Sequence, residues 1–312
     1  MDSPATRIVF MGTPAFAVPS LDILIRNRYP IPAVVTAPDK PRGRGQEFSP
    51  TPVKVRAAGA GIPVLQPDEL TQPDFVTRLK ELAPDLIVVV AFRILPKEVF
   101  TIPRLAAFNL HASLLPKYRG AAPINWAIIN GEKETGVTTF LLEEKVDTGG
   151  VILQRSVPIG SEEDAGTIHD RLADLGAEVV LETVGRIERG MTEISRQDST
   201  LASRAPKIFK DDCRIRWNQP AFRIHDFVRG LSPYPAAFTE HNGRILKIFR
   251  TSVVDRSAPG IPGEVMIDGE SITVATSQNA LRLLELQQEG RRRMTAAEFL
   301  RGYQIRTGDR LS

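Results

Sequence analysis

The run Leu86-Ile-Val-Val-Val-Ala91 constrains the fold more than any other stretch of the chain. It is apolar at odd and even positions alike, so a strand made from it must be covered on both faces. Strands of that kind belong to parallel sheets with helices packed above and below. The surrounding pattern agrees. Arg7 to Met11 is a short apolar run that opens onto Gly12-Thr13-Pro14, and Phe16, Val18, Leu21, Leu24 and Ile25 follow at helical spacing. Ala33 to Thr36 reads as a strand, Pro73 to Leu82 as a helix, Leu105 to His111 as a strand and Pro123 to Asn130 as a short helix. Gly136 to Leu142 and Val151 to Val157 read as strands joined by an acidic turn, and Ile168, Leu172, Leu175, Val179 and Ile187 mark a long amphipathic helix. Alternating strands and helices predict a doubly wound, mostly parallel α/β domain over residues 1–190.

Residues 191–206 are polar and read as a linker. Beyond it, Ile224 to Leu231 looks helical, and short strand-like pieces recur at 237–239, 245–249, 264–267, 272–275 and 281–286. Asn242-Gly243 is a hairpin signal between the first two. Thr295 with Glu298 forms a capping box for a last helix that Gly302 ends. Many short strands in residues 207–312 predict a small antiparallel barrel.

At 312 residues the chain exceeds what one hydrophobic core usually holds, which supports two domains. Residues 207–312 carry 17 basic and 12 acidic side chains, a net +5, while the remainder of the chain is at −2. A basic rear third predicts an anionic partner there. One cysteine, Cys213, excludes an internal disulfide and a multi-cysteine metal site. Met1 to Phe10 does not read as a signal peptide, and no stretch approaches the ~20 apolar residues of a membrane helix, so a cytoplasmic protein with no membrane partner is expected.

Only Gly12 follows the first strand, so the glycine fingerprint of dinucleotide binding is absent and hydride transfer is disfavoured. His169 and His225 lie amid charges in helical patterns and His241 adjoins a turn, so all three read as solvated surface residues. His111 differs, because it ends a predicted strand in Phe108-Asn109-Leu110-His111-Ala112-Ser113, and open α/β sheets bind ligands at the carboxyl ends of their strands. Period two puts Asn109 and His111 on one face, where an amide and an imidazole can address the same bound atom. The competing reading is that both cap the strand end. Asp147, in Lys145-Val-Asp-Thr-Gly-Gly150, is turn chemistry unless other residues point to it.

Taken together, Asn109-Leu-His-Ala-Ser-Leu-Leu-Pro116, Arg119-Gly-Ala-Ala-Pro-Ile124 and Asp147-Thr-Gly149 resemble the folate-dependent formyltransferase family. Pro38-Asp-Lys-Pro-Arg-Gly-Arg-Gly45, with Ser49-Pro-Thr-Pro-Val-Lys54 after it, resembles the basic insertion loop of the tRNA-acting branch. The resemblance implies a Rossmann-like formyltransferase domain followed by a small OB-like β-barrel. It also implies transfer of the formyl group of 10-formyltetrahydrofolate to the α-amino group of methionine on initiator tRNA, by a monomer that needs no metal. The runner-up is formyl transfer to an amino-sugar nucleotide.

By that resemblance, Asn109 and His111 hold the oxyanion, and Asp147 orients His111 or a water and manages protons. Ser113, Leu114, Leu115 and Pro116 line the folate site. Lys40, Arg42 and Arg44 meet the acceptor end of the tRNA, and Lys247, Arg250 and Arg291 to Arg293 supply phosphate contacts. The chain departs from the family at Phe92-Arg-Ile-Leu-Pro96, one residue shorter than the family's glycine-containing segment, so no pterin contact is carried over to it.

Overall fold

The computed structural model describes residues 6–42, 47–190, 193–255 and 260–312, without the side chains of 41, 42, 47 and 48. Its contacts divide the chain into two compact units: residues 1–120, 136–157 and 169–204, and residues 121–135, 158–168 and 205–312. Two segments counted with the front domain in the sequence, around the helix Pro123–Ile129 and the start of the long helix Ala165–Glu188, therefore go with the rear unit. The division is not one cut in the chain.

In the first unit a seven-stranded sheet runs in the order Val151–Pro158, Glu134–Leu141, Ala106–His111, Leu86–Val90, Ile8–Gly12, Ala33–Val35 and Val64–Leu65. The last five of these are parallel neighbours, and Ala106–His111 pairs antiparallel with Glu134–Leu141. Ile8–Gly12 and Leu86–Val90 are buried at every position. Val9, Met11, Ile87 and Val89 pack on one face with Phe75 and Leu79 of the helix Pro73–Glu81, while Ile8, Phe10, Val88 and Val90 are as fully covered on the other. At ~2 kcal/mol for each aliphatic side chain, Leu86 to Val90 alone contribute on the order of 10 kcal/mol of gross burial.

Asp85 fixes where three of these strands begin. Its Oδ2 accepts from the Arg7 backbone N–H at 2.8 Å and its Oδ1 from Arg104 Nε at 2.7 Å, while its own N–H donates to the Arg7 carbonyl and its carbonyl accepts from Leu105. These bonds, that of the Arg7 N–H foremost, hold the Asp85 carboxyl below the usual carboxylate range.

The described residues around the basic insertion of 38–54 form regular structure. Lys40–Arg42 pairs antiparallel with Glu47–Ser49, and a helix begins at Pro52, capped by Thr51 Oγ1 accepting from the Lys54 N–H at 3.1 Å. Within the stretch read as a linker, residues 195 and 203 are hydrogen-bonded. Ser195 exchanges two backbone hydrogen bonds with Val151, and Ser203 accepts from the backbone of Tyr118 and Arg119. Backbone bonds of this kind need no apolar residues, so a polar composition does not preclude them.

The second unit is an antiparallel sheet in the order Ala237–His241, Arg244–Val254, Ala280–Gln288, Ser271–Ala275 and Val265–Asp268, with Met294–Thr295 added beside Ala280–Gln288. The tail closes it: Leu311 donates to the Gly263 carbonyl, Val265 to that of Asp309, and Ser312 exchanges bonds with Glu240 on the opposite edge. The helix Ala221–Leu231 lays Ala221, Ile224, Val228 and Leu231 on this core. It also meets Pro123–Ile129 closely. Asn125 Nδ2 donates to the Gly230 carbonyl at 2.8 Å, and a Cβ on Gly230 would stand 2.6 Å from Ile129, so only glycine admits this crossing. The Thr295 and Glu298 capping box forms as predicted.

His241 corrects its sequence reading. It is 2% exposed, with Tyr303 Oη at 2.9 Å and Asp309 Oδ2 at 3.1 Å on its two ring nitrogens. His225 is likewise half-buried, against Thr251 and the Ser161 carbonyl. Neighbouring charges in sequence do not report which way a ring points after folding.

A carboxylate whose pKa is depressed by folding stabilises the folded state above its unfolded pKa of about 4, and loses that stabilisation as pH falls through the folded value. Urea denaturation at pH 7 should thus find Asp85→Asn less stable than the unmodified protein, with the gap closing at pH 3. An equal gap at both pH values would show that the carboxylate charge is not its source.

Candidate active site

The strand Ala106–His111 carries Asn109 and His111 on alternate positions toward the carboxyl end of the parallel sheet. Asn109 is half-buried, and its side-chain amide has no hydrogen-bond partner among the described residues. An amide that solvent can reach beside an imidazole has both a donor and an acceptor to offer a bound molecule. His111 is 6% exposed. Its Nε2 lies 2.9 Å from the Tyr118 carbonyl, which can only accept, so Nε2 carries the proton in the neutral ring and Nδ1 presents a lone pair. Phe140 meets the ring edge-on at a centroid distance of 6.5 Å.

Asp147 faces that lone pair. Its Oδ2 stands 4.0 Å from His111 Nδ1, within ion-pair range and beyond hydrogen-bond length, and accepts from the Gly120 N–H at 3.0 Å. The side chains are 7% and 11% exposed, so both lie largely away from bulk water. The turn that delivers this carboxylate is demanding. Asp147 has φ +56°, and a Cβ on Gly149 would fall 1.7 Å from the Leu141 carbonyl oxygen, which restricts that position to glycine. The structure thus brings Asn109, His111 and Asp147 into one neighbourhood through a strand end and a turn 36 residues further on.

Ser113 to Pro116 form the loop that leaves the strand. Ser113 is fully buried, its hydroxyl donating to the Lys117 carbonyl at 2.7 Å, and Leu115 is 5% exposed. Thr138 Oγ1 donates to the Ser113 carbonyl at 2.6 Å and accepts from the Leu115 N–H, while Gln154 Nε2 donates to the Leu115 carbonyl at 2.8 Å. Ser113 and Leu115 thereby shape the loop, and the half-buried Leu114 and Pro116 are the members with surface to offer a ligand. Thr138, Gln154 and the Tyr118 carbonyl had no sequence signal, since their roles depend on loops meeting across the sheet.

Of the basic insertion residues, Lys40 is exposed on the hairpin, Arg42 has its backbone in the strand, and Arg44 lies outside the described residues. The root of the hairpin is pinned: the Lys54 ammonium and the Gln66 amide both bind Asp39 and hold its carboxyl below the usual range, while Thr36 and Thr51 share a hydrogen bond of 2.8 Å.

The second unit has an open cavity of about 680 Å³ that contains none of these three residues. Lys207, Lys210 and Lys247 line it together with Phe238 and Tyr234, the latter 82% exposed. Cys213 also lines it, and burial pushes its thiol above the usual range, which disfavours a nucleophilic thiolate. The arginine run at 291–293 is partly spoken for, since Arg292 pairs with Glu298 at 2.8 Å and Arg293 with Glu285. Among the described residues no group of His, Cys, Asp and Glu is arranged to hold a metal ion, and no helix is long and apolar enough to cross a membrane.

Comparison with known proteins places this geometry in context. A family profile described as "Formyl transferase" matches residues 6–184, and one described as "Formyl transferase, C-terminal domain" matches residues 207–304. The chain is 50% identical over 304 residues to the methionyl-tRNA formyltransferase of Caldanaerobacter subterraneus subsp. tengcongensis, covering 97% of this chain and 98% of that protein. It is 48% identical over 303 residues to the protein of that name from Syntrophus aciditrophicus, covering 96% and 97%. Among solved structures, an N-formyltransferase from Helicobacter canadensis in complex with folinic acid and dTDP-3-aminofucose has a TM-score of 0.68 at 21% identity, covering 91% of this chain and 99% of that one. HypX from Aquifex aeolicus in complex with tetrahydrofolic acid has a TM-score of 0.65 at 20% identity, covering 97% of this chain and 50% of that one. At these identities the structural likeness speaks for the fold.

Nitrogen-15 NMR of the imidazole rings should find His111 protonated at Nε2 and bare at Nδ1 when neutral. A proton on Nδ1 would mean that the Tyr118 carbonyl does not set the tautomer.

Proposed function

The chain belongs to the formyl transferase family, and on that premise we propose that it transfers the formyl group of 10-formyltetrahydrofolate to the α-amino group of initiator methionyl-tRNA. The observation that carries the site assignment is the open amide of Asn109 beside a buried imidazole whose bare nitrogen faces a carboxylate at 4.0 Å. The near-full-length relatives named for the tRNA reaction support the acceptor.

Formyl transfer between two nitrogens needs three things. The attacking amine must be uncharged, the carbonyl oxygen must be held as it gains charge, and a proton must leave one nitrogen and reach the other. Asn109 Nδ2 is the donor to the developing oxyanion. His111 accepts a proton at Nδ1 from the attacking amine, because Nε2 is committed to Tyr118, and afterwards returns it to the leaving nitrogen. While His111 is cationic, the Asp147 carboxylate is its counter-charge, and the Gly120 N–H keeps Oδ2 aimed at the ring. This division gives the oxyanion to Asn109 and the proton to His111, narrower than the shared role expected from resemblance alone. A folate donor fits the residues present: Leu114 and Pro116 offer apolar surface next to the strand end, and no step calls for a metal.

The tRNA would meet Lys40 and Arg42 of the hairpin with its unpaired acceptor end, where guanidinium groups can pair with phosphate and stack on bases. Lys207, Lys210 and Lys247 suit phosphate contacts of the rear unit better than the arginine run, because that run is partly neutralised by Glu298 and Glu285. The chain is proposed to act as a cytoplasmic monomer.

With purified protein, formyl-folate donor and charged initiator tRNA, formylmethionyl-tRNA should form, and Asn109→Ala should lower kcat by ~100- to 1,000-fold, the usual loss for one oxyanion donor. An Asn109→Ala variant at full rate would remove that residue from the mechanism. Affinity for the tRNA should fall steeply with salt, with a log–log slope of roughly −0.7 to −0.9 for each phosphate contacted. A shallow slope, with activity on an amino-sugar nucleotide instead, would assign the other acceptor.

A further inference from the structure

Residues 193–204 are exposed at every position but one, Gln197. That side chain turns inward and uses all its hydrogen-bonding capacity. Its Nε2 donates to the carbonyls of Asp147 at 3.0 Å and Gly149 at 2.8 Å, and its Oε1 accepts from Arg119 Nε at 3.2 Å and Nη2 at 2.7 Å. One amide thus joins two loops. Arg119 sits between Tyr118, whose carbonyl receives the His111 proton, and Gly120, whose N–H binds the Asp147 carboxylate.

We propose that Gln197 is a positioning residue that sets the separation of His111 and Asp147 by clamping the Tyr118–Gly120 loop to the Asp147–Gly149 turn. The proposal rests on the reading that His111 and Asp147 take part in formyl transfer. Its physical basis is that neither loop fixes the distance by itself. Asp147 and His111 share no direct hydrogen bond at 4.0 Å, and the Asp147 backbone is in the left-handed region, where a non-glycine residue needs external support. Gln197 supplies that support through the two carbonyls flanking Thr148. The segment that carries it is itself held, by Ser195 on Val151 and by Ser203 on the Tyr118 and Arg119 backbone.

The two halves of the amide are separable. Gln197→Glu keeps acceptors for Arg119 and loses both donors to the turn, whereas Gln197→Leu loses everything at similar volume. Steady-state formylation of charged initiator tRNA should show kcat reduced by about 10- to 100-fold for both variants, the range expected when a reacting group is displaced by up to ~1 Å. KM for tRNA and for the folate donor should stay within about twofold. Thermal midpoints for both variants report folding, and a folded Gln197→Glu keeps the test intact should Gln197→Leu not fold. In the double variant with Asp147→Asn, loss of Gln197 should cost nothing further, because the side chain acts through Asp147.

Unchanged kcat in both Gln197 variants alongside an impaired Asp147→Asn would overturn the positioning role and leave the catalytic assignment standing. Additive losses in the double variant would also overturn it, since Gln197 would then act elsewhere. Full activity in Asp147→Asn would instead sink the catalytic assignment on which the proposal rests.

Discussion

Double-sided burial of the parallel strands is the constraint from which the rest of the first unit follows. Ile8–Gly12 and Leu86–Val90 have no exposed face, so neither can carry a polar group that must meet a substrate. Chemistry is pushed to the strand ends and to the strand where the pattern changes. Ala106–His111 is that strand: parallel to Leu86–Val90 on one side and antiparallel to Glu134–Leu141 on the other, with Asn109 left half-buried between them. Asp85 secures the opposite ends of the same strands, which leaves the carboxyl ends free to hold loops.

Those loops are built from backbone acceptors and side-chain amides. The proton on His111 is placed by a main-chain carbonyl, the Asp147 carboxylate by a main-chain N–H, and the Leu115 loop by Thr138 and Gln154. A carbonyl cannot donate, so it settles the tautomer of the ring without adding a charge to the site. The Asp147 carboxylate stands 4.0 Å from the other ring nitrogen without bonding to it. This arrangement suits a group that must both take and return a proton.

The second unit solves a different problem. Its edge strands would be open to pairing with other chains, and the tail residues Asp309 to Ser312 cover both edges with backbone bonds. Its net positive charge is real in the sequence but uneven on the folded surface. Arg292 and Arg293 are drawn into pairs with Glu298 and Glu285, while Lys247 joins the near neighbours Lys207 and Lys210 at one cavity although it lies 37 residues beyond Lys210 in the chain.

Hydropathy determined the alternating strands and helices, the parallel core and the short strands of the rear unit, and the Thr295 and Glu298 pair marked the cap of the last helix, because burial periodicity and capping are local properties of the chain. Asn109 and His111 were legible for the same reason, as polar residues spaced two apart at the end of an apolar strand. Asp147 was ambiguous by itself and gained meaning only from the company it keeps. Tertiary structure decided the rest. It gave segments 121–135 and 158–168 to the rear unit, buried His241 against Tyr303 and Asp309, and drew Gln197 out of a stretch that reads as linker onto the turn of Asp147. Each of these depends on a hydrogen bond or contact between residues distant in sequence, and a polar side chain carries no local mark of the partner it will find.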